Sequence, residues 1–315
     1  MCSDAVAVLD LDHVVMNNGR IYRVVGNLDS RTHFLGYNVY SPSADGDRRY
    51  RSEPYRKNFI EDEDLPADVL STYELLAVED IAEHRDPIQS AKSNSATFRS
   101  TIWFDLYTEL VRVFGEESVG IFGSSMFGLH TTPEGGVRKD IDFVIQGIDN
   151  VPVLRQQLPK IREELGFTAV TVERQLQQYA RYQKVFRSEN NSIRPIIARR
   201  WTGLQPSKSV VTTIRLRDPT FKISLELVTR SAEDCHDVTL SGVVANADSS
   251  HLFPRRFSVV VSDGRRADIY IFWWKFSTPV RDGDRVTLCG SLILTERCFV
   301  VRLTSFTQHW LSIED

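Results

Sequence analysis

The sequence predicts an α+β multidomain chain: a small N-terminal β domain, a central α/β unit and a C-terminal β-barrel. Three observations carry that expectation. Residues 5–59 hold short runs rich in β-branched and aromatic residues, broken by Gly and Pro turns. Residues 96–234 alternate strand-like and helix-like stretches, the pattern of a layered α/β sheet. From residue 235 onward five short strand patterns follow one another, separated by turn residues. The expected boundaries are 1–60 for the β domain, 61–95 for an acidic helical linker, 96–234 for the core and 235–315 for the barrel.

Composition sets the class. The chain has 315 residues, 42% hydrophobic and 25% charged, with a formal net charge of −4. That is the make-up of an ordinary globular protein, without the global basic field of a nucleic-acid coat. No apolar run approaches the length of a membrane span, and the first residues lack the cationic start of a signal peptide. The four cysteines (Cys2, Cys235, Cys289 and Cys298) form no CxxC pair and no zinc-like cluster, so they read as reduced thiols of a cytoplasmic protein. Cys289 and Cys298 could face each other across a hairpin; buried thiols are the alternative.

Taken in order, "GRIYRVVGNL" and "THFLGYNVYS" read as strands. Residues 61–86 hold ten acids against Arg85 as the only Lys or Arg. There Val69, Leu70, Tyr73, Leu76 and Ala77 recur at helical spacing and predict a helix. Residues 98–114 form a strongly amphipathic helix pattern through Trp103, Leu106, Leu110, Val111 and Phe114. "SVGIFG" reads as a strand, "SSMFGLHT" as the start of a helix, "DIDFVIQ" as a strand and "VPVLRQQLPKIREELG" as a helix. "TAVTV" is a short strand and residues 175–186 a helix. "SVVTTIRLRDPTFKISLELVT" reads as a hairpin turning at Asp218-Pro219. "DVTLSGVVAN", "RRFSVVVSD", "ADIYIFWW", "DRVTLCGSLIL" and "CFVVRLTSF" are the barrel strands, with the spacing of an OB-like barrel.

The chemistry concentrates in residues 119–147. Asp140 and Asp142 are two apart, so on a strand both point to one face while Ile141, Phe143 and Ile145 point to the other. Two carboxylates on one face repel unless a cation or water sits between them. Such hard oxygen ligands suit Mg²⁺, which takes one or two carboxylates and fills its shell with phosphate oxygens. Gly123-Ser124-Ser125, placed between a strand and a helix pattern, aims backbone amides at an anion. Together they join a phosphate cradle to a divalent-metal clamp.

This combination, with Gly128 after the turn, resembles the DNA polymerase β-like nucleotidyltransferase superfamily over roughly the third of the chain from residue 119 to 228. The whole chain is similar to minimal nucleotidyltransferase-domain proteins carrying an OB-like C-terminal domain. The resemblance implies that the central unit is a nucleotidyltransferase core. It also implies that Gly123 and Ser124 hold the nucleotide, with Ser125 of the same turn a further nucleotide-binding candidate, while Asp140 and Asp142 coordinate two Mg²⁺ ions. The implied reaction moves an NMP from an NTP such as ATP to a hydroxyl, with release of pyrophosphate. Two departures stand out: Lys139 replaces the serine common before the first aspartate, and "TTPEGG" lengthens the loop after Gly128. The superfamily usually has a third carboxylate on a neighbouring strand. Glu226 in "ISLELV" is the candidate, its alternative being an exposed surface acid; Asp218 is a poorer one, because a turn explains it fully.

Residues 181–217 carry nine Lys/Arg and one acid, with Trp201 interleaved. Arg187, Arg194, Arg199 and Arg200 are the candidates for a nucleic-acid backbone, the alternative being partners for the acidic segment. The barrel adds Phe253, Arg255, Arg256, Phe257, Arg265, Arg266, Tyr270, Trp273, Trp274 and Lys275, an aromatic set with basic flanks. The expected acceptor is therefore RNA or DNA. A small-molecule or protein acceptor, or a non-catalytic nucleic-acid-binding protein with a degenerate site, are the rival readings. "AVLDLDHVV" superficially matches the start of haloacid dehalogenase-like phosphatases, with Asp10 as nucleophile. The hairpin signal at Asn18-Gly19 speaks against that. Oligomeric state is not legible.

Overall fold

The computed structural model describes residues 7–58, 68–99, 101–129, 140–183, 199–207, 210–230, 235–273, 280–294, 299–305 and 308–314. Two compact units emerge: Met1–Phe59, Tyr73–Val170 and Trp201–Ile223 form the first, and Ile60–Thr72, Thr171–Arg200 and Ser224–Asp315 the second.

The first unit opens with a seven-stranded antiparallel sheet. Its strands are β1 (His13–Met16), β2 (Ile21–Val24), β3 (His33–Pro42), β4 (Arg48–Tyr50), β5 (Glu53–Lys57), β6 (Glu74–Ala77) and β7 (Ile81–Arg85). The order is β4-β5-β3-β2-β1-β7, with β6 also on β3. Val14, Met16, Tyr22, Val24 and Phe34 form its buried cluster, with Leu76, Val78 and Ile81 packed on it. The helix expected over residues 61–86 is corrected by this pairing. Of the described part, Val69–Thr72 is a 3₁₀ turn and the rest supplies β6 and β7. Tyr73, Leu76 and Ala77 have helical spacing in sequence, but an open apolar sheet face outcompetes an isolated short helix for that stretch.

A second sheet follows in the same unit: β8 (Val119–Phe122), β9 (Asp142–Gln146), β10 (Thr168–Ala169), β11 (Gly203–Ser207) and β12 (Val210–Arg217). The order is β10-β11-β12-β9-β8. Only β9 and β12 are parallel; β8–β9, β11–β12 and β10–β11 are antiparallel. Three helices accompany it: α1 (Pro87–Asn94), α2 (Ile102–Phe114) and α3 (Asn150–Glu164). Asp86 caps α1, its carboxylate accepting from Ile88 and Gln89 N–H, with Pro87 at the first helical position. α1 lies directly against β8 at Gly120, where a Cβ would sit 2.7 Å from the Pro87 backbone. α2 buries the stripe Trp103, Leu106, Tyr107 and Leu110, and α3 buries Val151, Leu154, Leu158 and Ile161.

The second unit contains a closed barrel of β13 (His236–Asn246), β14 (Arg255–Val261), β15 (Arg266–Ile271), β16 (Arg285–Leu294) and β17 (Phe299–Leu303). The ring runs β13-β14-β15-β17-β16 and closes by β16 pairing β13, with β15 and β17 parallel. β18 (Trp310–Ile313) adds to β16. These five barrel strands stand where the sequence expects them, and closure removes the unpaired edges that an open sheet would expose. α4 (Val172–Gln183) and the short α5 (Leu225–Thr229) complete the described helices of this unit. Arg302, 1% exposed, donates from Nη1 to the carbonyls of Leu227 and Arg230 and so fastens the end of α5 to β17.

The fold class is therefore mostly β, and the expected α+β arrangement with a central α/β nucleotidyltransferase core is corrected. Strand residues outnumber helical ones, and the sequence alternation breaks at three places. Gly123–Phe127 is one 3₁₀ turn instead of the start of a long helix. Its Gly ends leave too few residues to pay the cost of helix nucleation. Residues 61–86 give strands, as above. After β12 the chain turns at Asp218 into α5 instead of a second hairpin strand.

Candidate active site

β8 is apolar and fully buried from Val119 to Phe122. Gly123 then takes φ +76°, a left-handed conformation that stops the strand and that a Cβ would strain. The chain winds through the 3₁₀ turn and leaves it at Gly128, φ +69°, with Leu129 N–H donating to Ser124 O at 2.9 Å. Across the sheet, Phe122 is the register partner of Asp142. The result is close approach: a Cβ on Gly123 would lie 3.9 Å from Asp142 Oδ2. Ser125 is 1% exposed and its Oγ donates to Phe122 O at 2.9 Å, so this hydroxyl supports the turn and does not face a ligand. Ser124 is half-buried.

Asp142 begins β9 and is half-buried, while Asp140 is exposed and Ile141 between them is 1% exposed. The Asp142 carboxylate accepts the backbone N–H of Thr213. Burial, with Asp140 adding like charge, pushes its pKa up to about 6, against the pull of Arg215 and Lys57. On β12, Thr213 and Arg215 share the Asp142 face by the parallel register that pairs Ile214 with Phe143. Thr212 Oγ1 donates to Ile141 O from the other side of that strand.

The turn is gripped from the first sheet and from α1. Arg48 Nη1 donates to Leu129 O at 3.1 Å, Arg85 Nη1 to Met126 O at 3.2 Å and Asn94 Nδ2 to Met126 O at 3.2 Å. The Tyr50 ring meets Phe127 edge-on at 5.3 Å. Lys57, at the end of β5, sits in the field of both aspartates; burial first, then Arg48, hold its pKa below the usual lysine value.

Farther along the same face lies an interior ion network. Arg217, 2% exposed, bonds Asp12 Oδ1 at 2.7 Å, Asp86 Oδ2, and Gln146 Oε1 at 3.0 Å. His84 Nε2 meets the other Asp12 oxygen at 2.7 Å. Arg217 was counted in the basic patch, but it is committed to these buried acids. Asp10 is 4% exposed, accepts the Gly26 N–H at 2.8 Å and is pushed up to about 6 by burial. It is a buried acid in the turn before β1.

The third acid is not where the sequence placed it. Glu226 lies on α5, in the second unit, with Arg230 3.6 Å away across one turn, and not on a strand beside β9. Ser224 starts that helix by accepting the Leu227 N–H at 3.3 Å, the cap that overrides the strand pattern of "ISLELV". Asp218 holds a turn, accepting from Thr220 N–H and Oγ1 and from Ile148 N–H. Among the described residues no group of three or more His, Cys, Asp or Glu is placed to hold a metal. Asp140 and Asp142 are two neighbouring carboxylates, oxygen donors of the kind a hard cation takes together with phosphate oxygens and water.

Of the nucleic-acid candidates, Arg187 and Arg194 lie outside the described residues, as do Trp274 and Lys275. Arg199 is bound to Asp284 Oδ2 at 2.5 Å, which gives it a structural partner, and Arg200 is half-buried. In the barrel, Arg255, Phe257 and Trp273 are core. Arg256 instead lies over the Tyr270 ring at 5.7 Å, and Arg265 over Phe299 at 5.5 Å. Among the described residues no helix is long and apolar enough to cross a membrane.

The sequence reading counts Arg215 in the basic run of residues 181–217 without placing it beside Asp142, and does not single out Lys57. The alternation Thr213, Arg215, Arg217 along one strand face was a readable signal for Arg215; nothing local announces Lys57. Comparison of the chain with protein-family models, with curated proteins and with solved structures finds no match.

Proposed function

We propose that the first unit is a Mg²⁺-dependent nucleotidyltransferase that moves an NMP from an NTP to a hydroxyl acceptor. One observation carries the reading: Gly123 is left-handed and a Cβ there would lie only 3.9 Å from Asp142 Oδ2, so the turn and the carboxylate are close neighbours. A turn of bare backbone beside two neighbouring carboxylates supports this reading, because backbone amides can meet phosphate oxygens and paired acids can meet a cation. Two Mg²⁺ ions, when bound, would stabilise the attacking and leaving oxygens. Asp140 and Asp142 would hold them; burial first and Asp140 second raise the Asp142 pKa, and an added cation would offset both. Ser124 and the amides of the turn would orient the triphosphate. The acceptor oxygen then bonds the α-phosphorus, the bond to the β-phosphate oxygen breaks, pyrophosphate departs and the hydroxyl proton is lost to solvent.

The acceptor we propose is single-stranded RNA or DNA. The Arg256–Tyr270 and Arg265–Phe299 pairs support this, since half-buried rings flanked by cations are how barrels of this kind stack bases. A second reading, nucleotide binding without transfer, is favoured by one feature. The β12 positions beside Asp142 are Thr213 and Arg215, where a third acid would complete the charge. Incubation with each α-labelled NTP, Mg²⁺ and total cellular RNA separates the two: covalent label supports transfer, and bound but unreacted nucleotide supports the second.

A further inference from the structure

We infer that the first unit carries a second ligand site, apart from the aspartates: a cavity that takes a small amphipathic carboxylate, its apolar body on Phe34 and Leu28 and its charge on Arg31 and Lys222. The inference does not depend on the nucleotide reading.

The cavity has a volume of about 480 Å³, inside the range of small-molecule sites. The folding of residues 27–33 builds it. Asn27, 2% exposed, donates from Nδ2 to the carbonyls of Asp218 at 2.7 Å and Phe221 at 2.8 Å. The backbones then pair: Ile223 N–H donates to Asn27 O at 2.9 Å and Asp29 N–H to Ile223 O at 2.8 Å. This pairing brings Lys222 into the lining beside residues 28–31. Ser30 Oγ accepts the N–H groups of Thr32 and His33 at 3.2 and 3.0 Å and tightens the turn that carries Arg31. Val78 N–H donates to Thr32 O at 2.8 Å, which sets Val78 in the lining as well. The walls are thus fixed by backbone hydrogen bonds.

The lining divides by chemistry. Phe34 and Leu28 are 2% and 5% exposed, and Val8 and Val78 pack on the same cluster as Phe34. Such a floor rewards an apolar body and gives a bare inorganic anion nothing to cover it. The polar side is cationic. Arg31 and Lys222 are exposed, and neither side chain makes an ion pair or hydrogen bond among the described residues. They share the lining with one acid, Asp29, so two cations less one acid leave one positive charge in excess before His33 is counted. His33 Nδ1 already bonds Thr32 Oγ1 at 3.0 Å. The planar guanidinium fork of Arg31 matches a carboxylate, which can accept two parallel bonds from it.

The cavity stands apart from the aspartates along the sheet. The parallel register that pairs Ile214 with Phe143 sets Asp142 at the level of Thr213 on β12. Lys222 follows the other end of that strand, past Arg217. The strand from Thr213 to Arg217 alone spans about 13 Å.

The test is titration of the full chain with phenylbutyrate, with its uncharged counterpart phenylbutanol and with acetate, read by calorimetry and saturation-transfer NMR. The proteins are wild type, Arg31→Gln, Lys222→Gln, Lys222→Arg, Ala7→Trp and the control Lys160→Gln, an exposed lysine of α3. Phenylbutyrate should bind wild type about tenfold more tightly than either phenylbutanol or acetate. Arg31→Gln and Lys222→Gln should each weaken phenylbutyrate about tenfold and leave phenylbutanol unchanged. Lys222→Arg should recover most of the loss, and Lys160→Gln should match wild type. Ala7→Trp, which puts an indole on the lining, should block phenylbutyrate. Arg31 and Lys222 have no side-chain partner among the described residues to lose, so both glutamine variants should melt with wild type. Equal affinity for the acid and the alcohol overturns the charge assignment. Phenylbutyrate affinity that survives both glutamine variants, or survives Ala7→Trp, places the binding elsewhere and overturns the site. No binding of phenylbutyrate by wild type at millimolar concentration overturns it as well.

Discussion

Gly123 and Asp142 face each other at the end of one β pair, with only 3.9 Å between the carboxylate and the place a Cβ would occupy. The register of β8 on β9 fixes that meeting, and the left-handed Gly123 keeps side-chain bulk out of it.

Gly123→Ala should therefore cost backbone strain more than a clash, because 3.9 Å is an ordinary contact. We expect about 1–2 kcal/mol of stability lost. Gly123→Val should cost more and should also weaken nucleotide binding, since the branched side chain grows toward Asp142. Urea denaturation and ATP titration of the two variants check this; an unchanged midpoint for Gly123→Ala would remove the strain argument.

Asp142→Asn should abolish transfer and yet stabilise the fold above neutral pH. The sign follows from the raised folded pKa of about 6 against the ordinary aspartate value of 3.8. As pH rises through that window the unfolded chain releases its proton first, so the native state loses stability. Asparagine carries no charge and still accepts the Thr213 N–H. The variant should be more stable than wild type by roughly 1–3 kcal/mol at pH 8, with the advantage fading towards pH 4. Added Mg²⁺ should narrow the gap at pH 8 by stabilising wild type alone. A variant less stable than wild type at pH 8 would contradict this.

Arg217→Met tests the interior network. It leaves Asp12 and Asp86 without their shared guanidinium in a buried place. Removing one partner of a buried ion pair costs about 3–5 kcal/mol. Denaturation that shows a loss under about 1 kcal/mol, the range of exposed pairs, would mean the network is not load-carrying for the fold.

The barrel was legible in sequence because each of its strands alternates apolar and polar residues between clear turns, and closure adds nothing a pattern must announce. The turn at Gly123 and the strand that starts at Asp142 were legible because both signals are local, a glycine closing one apolar run and a second apolar run after the acids; Asp140 lies just before that strand rather than on it. The acidic segment misled because Val69, Tyr73, Leu76 and Ala77 fit a helix as well as a strand, and only the free β3 and β1 edges decide between them. Glu226 misled because Ser224 caps a short helix that the apolar run conceals. The basic run misled because charge alone cannot show that Arg217 and Arg199 already have buried or half-buried acids. Lys57 could not be found at all, since its place depends on how the β4–β5 hairpin docks on a turn some seventy residues later in the chain.

The most direct test of the central claim is label transfer. Wild type and Asp142→Asn are incubated with each α-labelled NTP, Mg²⁺ and total cellular RNA, and the RNA is resolved under denaturing conditions. The account predicts covalent label from at least one NTP with wild type, abolished by Asp142→Asn or by chelation of Mg²⁺. Label that persists at the wild-type level in Asp142→Asn would contradict it.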